Sequence, residues 1–317
     1  MKKEYRASMV MALCALALML FAGHIQQPEA VPVSANILIA ESDGVMLYAG
    51  GQQPAGQNEH FRLETLYQGL LLCVSREHPL PEGLPIQQSR DVRSLVGLYV
   101  PAAQHVSLSE ETIYALCDLA RENPLVETWI MDGMRSPREQ QAMQQKAFES
   151  YRASMPVAQA LLLAEKDVPD SGQSEHQLAT AFDVQLNGRH AWAADDPMQC
   201  TRDGQWLMKN AWRYGFVRRY PPEKASVTGV QNEAMHWRYV GKSHAAVMQL
   251  TGCCLEEYLD LLHAQGTLCL IDGEGHETWV ICRPCGTDGA SFDIPEGWQA
   301  AVSADNLGYA VCVLTMD

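Results

Sequence analysis

Two short segments of the chain carry residue types that bind zinc. The first contains His176 and, seven residues later, the carboxylate Asp183. The second offers His236, with the carboxylate Glu233 three residues before it. Imidazole and carboxylate groups are both good zinc ligands. Taken alone each piece is weak evidence, because a lone histidine is more often a packed or surface residue than a ligand.

Together these residues suggest a catalytic metal centre. Three protein ligands (His176, Asp183 and His236) leave a fourth zinc position for water, as a catalytic site requires. Zinc would lower the pKa of that water and polarise a scissile carbonyl. Glu233 is then the expected base that takes the water's proton and returns it to the leaving amine. Arg135 is the expected oxyanion partner, because a guanidinium stays charged and presents fixed donors.

Arg135 is predicted to lie at a strand-to-helix junction. The β-prone stretch 126–131 precedes it. Ser136 then suits the N-cap of a new helix, Pro137 its first position and Glu139 the third. This junction should fix the position of the guanidinium.

The other candidate residues are also placed by predicted elements. A polar loop at 170–173 leads to His176, and the β-like stretch 181–184 carries Asp183. A strand at 237–240 follows His236. A further helix is predicted to open with a capping box at Ser107 to Glu110 and to end at Asn123-Pro124. Another is predicted over 205–214, closed by Gly215.

The C-terminal part of the chain has a different pattern. A helix is expected over about 255–264, and strand-like stretches separated by Gly and Asp turns follow at 267–271, 276–281 and 309–314. At the other end, a strand-like stretch at 37–40 precedes a Gly- and Gln-rich tract typical of a linker. We therefore expect the folded core to begin near Leu70.

The N-terminus resembles an export signal. A basic start with Lys2, Lys3 and Arg6 precedes an uncharged apolar run over 9–22, which is short for a membrane span of about 20 residues. No clean cleavage site follows, so both release and tethering to the outer face of the membrane stay open. The predicted organisation is 1–30 signal peptide or membrane anchor, 31–69 N-terminal extension and linker, 70–262 catalytic domain and 263–317 β-rich appendage.

Composition narrows the function classes. The 317 residues are 47% hydrophobic and 19% charged, which suits a folded chain with a sizeable core. A net charge of -15 disfavours nucleic acid as a partner, because phosphate binding needs a basic surface. The ten cysteines have irregular spacing, which favours disulfides or free thiols over a structural zinc knuckle built from Cys282, Cys285, Cys253 and Cys254.

The two ligand segments resemble the VanY-type D-alanyl-D-alanine carboxypeptidases and their relatives, the VanX dipeptidases and the L,D-carboxypeptidases. The family signature Ser-x-His-x-x-Gly-x-Ala-x-Asp matches at Ser174, His176, Ala181 and Asp183, with Ala179 in place of the glycine. The second signature reads Glu-x-Trp-His, followed by an aromatic residue, Arg, Tyr, Val and Gly. In this chain Met235 stands in place of the tryptophan before the histidine. The other positions of this signature match Glu233, His236, Trp237, Arg238, Tyr239, Val240 and Gly241.

Two further segments extend the resemblance over residues 70 to about 262. Gly133-Met134-Arg135-Ser136 corresponds to the family's Gly-Tyr-Arg-Ser, with Gln140 at the position of its helix glutamine. The segment 71–81 is also similar to the family. Both departures from the signatures, at Ala179 and Met235, lie beside ligands, so an altered specificity is the main change they suggest.

The resemblance implies an α+β fold with a small antiparallel sheet, flanked by helices and carrying a zinc cleft, followed by the β-rich appendage. It implies that Ser174 and Gln140 bind the peptide near its terminal carboxylate, and that Arg135 contacts the reacting carbonyl or that carboxylate. The expected substrates are peptidoglycan stem peptides outside the cytoplasm, from which the enzyme releases terminal D-alanine. The sequence leaves the oligomeric state open.

Three alternatives remain at this point. The first is an L,D-carboxypeptidase acting on tetrapeptide stems, because pocket shape decides between the two bonds. The second is a non-catalytic module that binds or senses wall peptides, although such a module would not need Glu233. The third is a cysteine nucleophile, which no recognisable sequence context supports. A serine nucleophile lacks both Ser-x-x-Lys and Gly-x-Ser-x-Gly.

Overall fold

The computed structural model describes residues 37–84, 87–94, 102–123, 128–186, 196–231 and 233–316. The predicted leader, residues 1–30, lies outside these ranges. Within them, none of the helices is long and apolar enough to cross a membrane.

Strands and helices alternate through the first two thirds of the chain, and strands dominate the last part. The strands are β1 Ile37–Ser42, β2 Val45–Ala49, β3 Gln57–Arg62, β4 Arg90–Asp91, β5 Ser107–Leu108, β6 Thr128–Asp132, β7 Ala181–Leu186, β8 Phe216–Arg218, β9 His236–Tyr239, β10 Thr267–Ile271, β11 Glu277–Pro284, β12 Gly289–Ile294, β13 Trp298–Ala304 and β14 Tyr309–Met316. The α-helices are α1 Leu63–Leu66, α2 Glu110–Glu122, α3 Pro137–Arg152, α4 Val157–Asp167, α5 Pro197–Cys200, α6 Arg202–Asn210, α7 Ala225–Thr228, α8 Lys242–Thr251 and α9 Leu255–Gln265. Short 3-10 turns are Val92–Ser94, Glu175–Leu178, Ala211–Tyr214 and Pro222–Lys224.

A small antiparallel sheet, in the order β6-β7-β9-β8, forms the centre of the region that resembles the family. One face carries Phe182, Val184 and Trp237, which pack with the buried side of α2, including Ile113 and Leu116. This arrangement confirms the predicted α+β class and the small sheet flanked by helices.

The junction that carries Arg135 has the predicted form. Ser136 is the N-cap of α3, Pro137 opens the helix, and the side chains of Ser136 and Glu139 complete a capping box. The other predicted capping box, at Ser107, is wrong. Ser107 pairs with Asp91 in a short strand, so its backbone is extended and Ser109 caps α2 instead.

A six-stranded antiparallel sheet, in the order β1-β2-β10-β11-β14-β13, confirms the β-rich C-terminal region. Successive side chains alternate between its two faces, as in any strand. Leu268 and Leu270 join a core that includes residues of α8 and α9, whereas Cys269 points to the other face. On the neighbouring strand β11, Val280 joins the same core as Leu268, and Ile281 lies on the other face with Cys269. The central strands β10 and β11 are therefore buried on both faces.

Strands within residues 37–62 pair with strands of the C-terminal region, whereas the composition of this segment predicts a linker. β2 pairs with β10, and β3 pairs with β12. Leu47 is fully buried, and Ala49 is almost so. The folded part thus begins well before Leu70, while the domain boundary near residue 262 stays a prediction.

Candidate metal centre

Two paired strands bring the predicted ligands together. Asp183 in β7 is the direct partner of His236 in β9, and directly paired residues of an antiparallel sheet share a face. His176 lies in the 3-10 turn that precedes β7. One ligand atom from each of the three side chains lies within 4.8 Å of the others.

The hydrogen bonds of the two histidine rings show which nitrogens face the centre. His176 Nδ1 lies 2.5 Å from the backbone oxygen of Gly133, which can only accept, so Nδ1 carries a proton. His236 Nε2 lies 3.3 Å from Glu175 Oε2. The other two ring nitrogens, His176 Nε2 and His236 Nδ1, lie 3.4 and 2.9 Å from the oxygens of Asp183.

This donor set fits zinc. Metal-binding histidines almost always donate their second N–H to a carboxylate or a backbone carbonyl, and both partners are present here in Glu175 and Gly133. Two imidazoles and one carboxylate also form a known set of three ligands for catalytic zinc. The ligands of the sequence prediction are therefore placed as a zinc site requires.

The electrostatic field at the centre favours a cation. Burial lowers the pKa of His236, but hydrogen bonds to Asp183 and Glu175 outweigh it and raise the pKa to about 10. Burial raises the pKa of Asp183, yet the charge and hydrogen bond of His176, joined by those of His236, hold it well below its usual range. The carboxylate therefore stays ionised and can bind a metal ion.

Behind His236 lies a buried cluster of charges that sequence reasoning did not identify. Arg219 Nε donates to Glu175 Oε1 at 2.8 Å, and its two terminal nitrogens bind both oxygens of Glu256 at 2.9 and 2.7 Å. Arg238 NH1 lies 3.2 Å from Glu175 Oε1. Although burial opposes it, Arg219 and Arg238 together with His236 lower the pKa of Glu175 below its usual range. Glu175 is thus a fixed anion that orients His236.

Arg135 lies at the edge of the centre. Its Nε and NH2 contact Asp132 Oδ2 at 2.9 and 2.7 Å, and NH2 is 3.6 Å from Asp183 Oδ2. Its backbone N–H donates to the carbonyl of His176 at 3.0 Å. The guanidinium is therefore held close to the ligands with little freedom to move.

Gln140 and Ser174 are both buried near the centre. Arg135 NH1 donates to Gln140 Oε1 at 3.1 Å, and Gln140 Nε2 donates to the carbonyl of Pro169 at 2.6 Å. These contacts show that Gln140 holds Arg135 in place. Ser174 lies at the N-terminus of the turn that carries His176. A direct contact of either side chain with the peptide stays a prediction.

Glu233 is exposed, and its backbone oxygen accepts the N–H of His236 at 3.2 Å. This turn keeps Glu233 close enough for its charge to help raise the pKa of His236, while the group of three ligands does not include it. That placement suits a base better than a ligand.

The two departures from the family signatures have different surroundings. Ala179 adopts a left-handed conformation, with φ of 57°, which favours glycine and explains the glycine of the signature. Met235 is buried in the core with Phe182 and Trp237. Its side chain therefore belongs to the packing under the sheet, and the altered specificity suggested by this substitution stays a prediction.

A cavity of about 320 Å³ opens beside Arg135. Its walls come from residues 80–84, from Met134 and Pro137, and from the loop before His176, with Tyr67 and Leu72 on the far side. Pockets for small ligands begin at about this size. The lining includes Arg135 and Gln177, the residue after His176, so the cavity lies close to the candidate ligands.

The cysteines do not form a competing site. All nine cysteines in the described ranges are free, and within those ranges only His176, Asp183 and His236 form a group that could hold a metal ion. Burial raises the pKa of Cys254 and Cys282 to about 12, which makes their thiols poor nucleophiles and poor ligands. These findings favour free thiols over a zinc knuckle.

Comparison with known proteins points to one family. Residues 107–242 match the family model described as VanY: D-alanyl-D-alanine carboxypeptidase. A D-alanyl-D-alanine carboxypeptidase of Enterococcus faecalis strain V583 is 32% identical over 192 residues, which cover 60% of this chain and 65% of that protein. Another D-alanyl-D-alanine carboxypeptidase, from Enterococcus faecium, is 26% identical over 251 residues. That match covers 77% of this chain and 74% of the other protein. The first match thus spans slightly less than two thirds of its relative.

A solved structure has a similar fold over most of the chain. It is the vancomycin resistance D,D-dipeptidase VanXYg in complex with a D-Ala-D-Ala phosphinate analog, with a TM-score of 0.63 and 24% identity. The alignment covers 81% of this chain and 98% of the other. At this level of identity the likeness establishes the shared fold.

Proposed function

Because residues 107–242 belong to the VanY family of D-alanyl-D-alanine carboxypeptidases, we propose that the protein is a zinc-dependent carboxypeptidase that releases terminal D-alanine from peptidoglycan stem peptides. The observation that carries this proposal is the pairing of Asp183 with His236, with His176 beside them, inside the family match. The names of the Enterococcus relatives give the substrate class.

His176, Asp183 and His236 would hold the zinc ion. When bound, zinc polarises the scissile carbonyl and acidifies the attacking water. Glu233, exposed beside His236, accepts a proton from the water that adds to the carbonyl carbon. It then donates that proton to the leaving nitrogen as the C–N bond breaks, so the products are a shortened peptide acid and D-alanine.

Arg135 supplies fixed positive charge next to this reaction. Asp132 and Gln140 orient the guanidinium, so no reorganisation is needed when negative charge develops on the substrate oxygen. The cavity beside Arg135 accommodates the terminal D-alanine of the substrate. The carboxylate of that D-alanine is a suitable partner for the guanidinium of Arg135. Ser174 and Gln140 complete this end of the site.

We further propose that the protein works outside the cytoplasm, either released or held at the outer face of the membrane. The basic residues Lys2, Lys3 and Arg6 and the apolar run after them support export. Peptidoglycan stem peptides are found there as well. Mass spectrometry of the N-terminus of the protein isolated from its producing cells would distinguish a cleaved leader from an uncleaved one.

The direct test is incubation of the zinc-loaded protein with a pentapeptide stem that ends in D-Ala-D-Ala and, separately, with the matching tetrapeptide. The proposal predicts release of D-alanine, followed by mass spectrometry, from the pentapeptide. Release from the tetrapeptide alone would show an L,D-carboxypeptidase. Bound zinc with cleavage of neither peptide would contradict the proposal and support a binding module.

A further inference from the structure

The C-terminal hairpin loop between β13 and β14 lies against the segment 69–79, far earlier in the chain. Leu71 N–H donates to Ser303 Oγ, and Cys73 N–H donates to the backbone oxygen of Asp305, both at 2.9 Å. A Cβ added at Gly69 would lie 2.4 Å from the Cα of Ser303, so the two backbones touch. The hairpin therefore forms a close seam with this segment.

Asn306 makes the largest set of contacts along this seam. Its side-chain amide donates to the backbone oxygens of Cys73, His78 and Pro79 at 3.2, 3.0 and 3.2 Å. Its backbone is left-handed, with φ of 66°, a conformation that asparagine tolerates better than most residues. One side chain thus ties together both ends of the turn between Cys73 and Pro79.

The residues that follow this turn form a wall of the cavity beside Arg135. Leu80 N–H donates to the backbone oxygen of Gly172 at 2.7 Å. Gly172 N–H in turn donates to Gln177 Oε1 at 2.5 Å, next to His176. Residues 81–83 are exposed, so few contacts of their own hold them. Contacts therefore run from Asn306 through the cavity wall to the loop of a metal ligand.

We propose that Asn306 is a positioning residue that sets the affinity for the stem peptide by fixing the wall formed by residues 80–84. The inference rests on the proposed function, and it gives the C-terminal hairpin a role in substrate recognition. If residues 80–84 are already ordered before the substrate binds, no binding free energy is used to order them, and the affinity is higher. Loss of the clamp should therefore weaken binding, while the metal centre and the chemical step stay intact.

The test compares the full-length zinc-loaded protein with the Asn306→Gly variant, which allows the left-handed backbone and removes the side chain with its amide. We expect the KM for the pentapeptide to rise about tenfold, the effect of losing one hydrogen-bonding group, with kcat and zinc content nearly unchanged. Asn306→Asp, which keeps the size but has no N–H to donate, should raise KM at least as much. Hydrogen exchange followed by mass spectrometry should show faster exchange over residues 73–84 in both variants.

Leu314→Ala is the matched control for loss of stability. Leu314 is fully buried in β14, the strand that follows the loop of Asn306. This variant should unfold more easily with KM unchanged, and an equal rise in KM would overturn the inference. An unchanged KM and unchanged exchange in Asn306→Gly would overturn it as well. If even the unmodified protein cleaves no stem peptide, the proposed function fails, and the exchange over 73–84 alone decides whether Asn306 holds the wall.

Discussion

The carboxylate of Glu175 lies 3.3 Å from Nε2 of His236, while Nδ1 of the same ring faces Asp183 at 2.9 Å. The ring therefore links two anions, one in the metal centre and one in the buried charge cluster. Arg219 and Arg238 keep Glu175 ionised. A fixed anion at Nε2 orients the imidazole and increases the basicity of the nitrogen that faces the metal.

The variant Glu175→Gln should weaken zinc binding by about 10- to 100-fold, because the amide supports the His236 ring less strongly than the carboxylate does. It should also lower the free energy of unfolding, because two buried arginines lose a partner. Competition with a chromophoric zinc chelator, on protein shown to be folded by circular dichroism, measures the affinity.

Glu256→Gln provides the control for this variant. Glu256 binds Arg219 from the side away from His236, so its loss should reduce stability and leave zinc affinity unchanged. Equal zinc affinities in the unmodified protein and in Glu175→Gln would show that Glu175 serves the charge cluster alone.

Arg135→Lys should lower kcat/KM by roughly 100-fold or more, a typical loss on removing one donor to a developing oxyanion. Lysine keeps the positive charge but lacks the planar guanidinium, so it cannot donate to Asp132, Gln140 and the substrate at the same time. Steady-state kinetics on the pentapeptide measure this effect at constant zinc content. Arg138→Lys, at an exposed position in the first turn of α3, should behave like the unmodified protein. If Arg135→Lys behaved in the same way, this role of Arg135 would be excluded.

His244 predicts a pH dependence of stability that is independent of the metal centre. Burial lowers the pKa of His244 to about 3, and its Nδ1 lies 2.7 Å from the hydroxyl of Tyr258. Between pH 6.5 and 3 the unfolded chain binds a proton at this site and the folded protein does not. Its contribution to stability is therefore complete above pH 6.5 and is lost as pH falls, by at most about 1.4 kcal/mol per pH unit.

Urea unfolding of His244→Gln across this range measures the contribution. The variant should be less stable at neutral pH, and its free energy of unfolding should fall less steeply on acidification. The exposed His276→Gln should retain the steep dependence. Parallel curves for His244→Gln and the unmodified protein would mean that His244 takes up its proton equally in both states.

The three candidate ligands and Glu233 could be selected from the sequence because the two family signatures mark them, whereas residue type and spacing alone were weak evidence. His176, Asp183 and His236 each follow a polar loop or lie on a strand, and pairing of β7 with β9 then places two of them side by side. The junction at Arg135 was predictable from the sequence, since its cap is encoded within a few residues.

The parts that sequence reasoning missed depend on distant partners. Glu175 stands next to a ligand in the sequence, but its role follows from Arg219, 44 residues away. β3 is polar and mostly exposed, so no alternating apolar pattern marks it. Its backbone pairs with β12, more than 200 residues later, and only the tertiary fold reveals that pairing. The contacts of Asn306 were hidden in the same way.

In the proposed zinc-dependent cleavage of the terminal peptide bond, Glu233 transfers the proton. The most direct measurement is D-alanine release from the D-Ala-D-Ala pentapeptide by Glu233→Gln, with zinc quantified in the same sample. We expect loss of nearly all turnover, because glutamine cannot accept the proton, while zinc content stays at that of the unmodified protein. Turnover close to that of the unmodified protein in the zinc-loaded variant would contradict this role of Glu233.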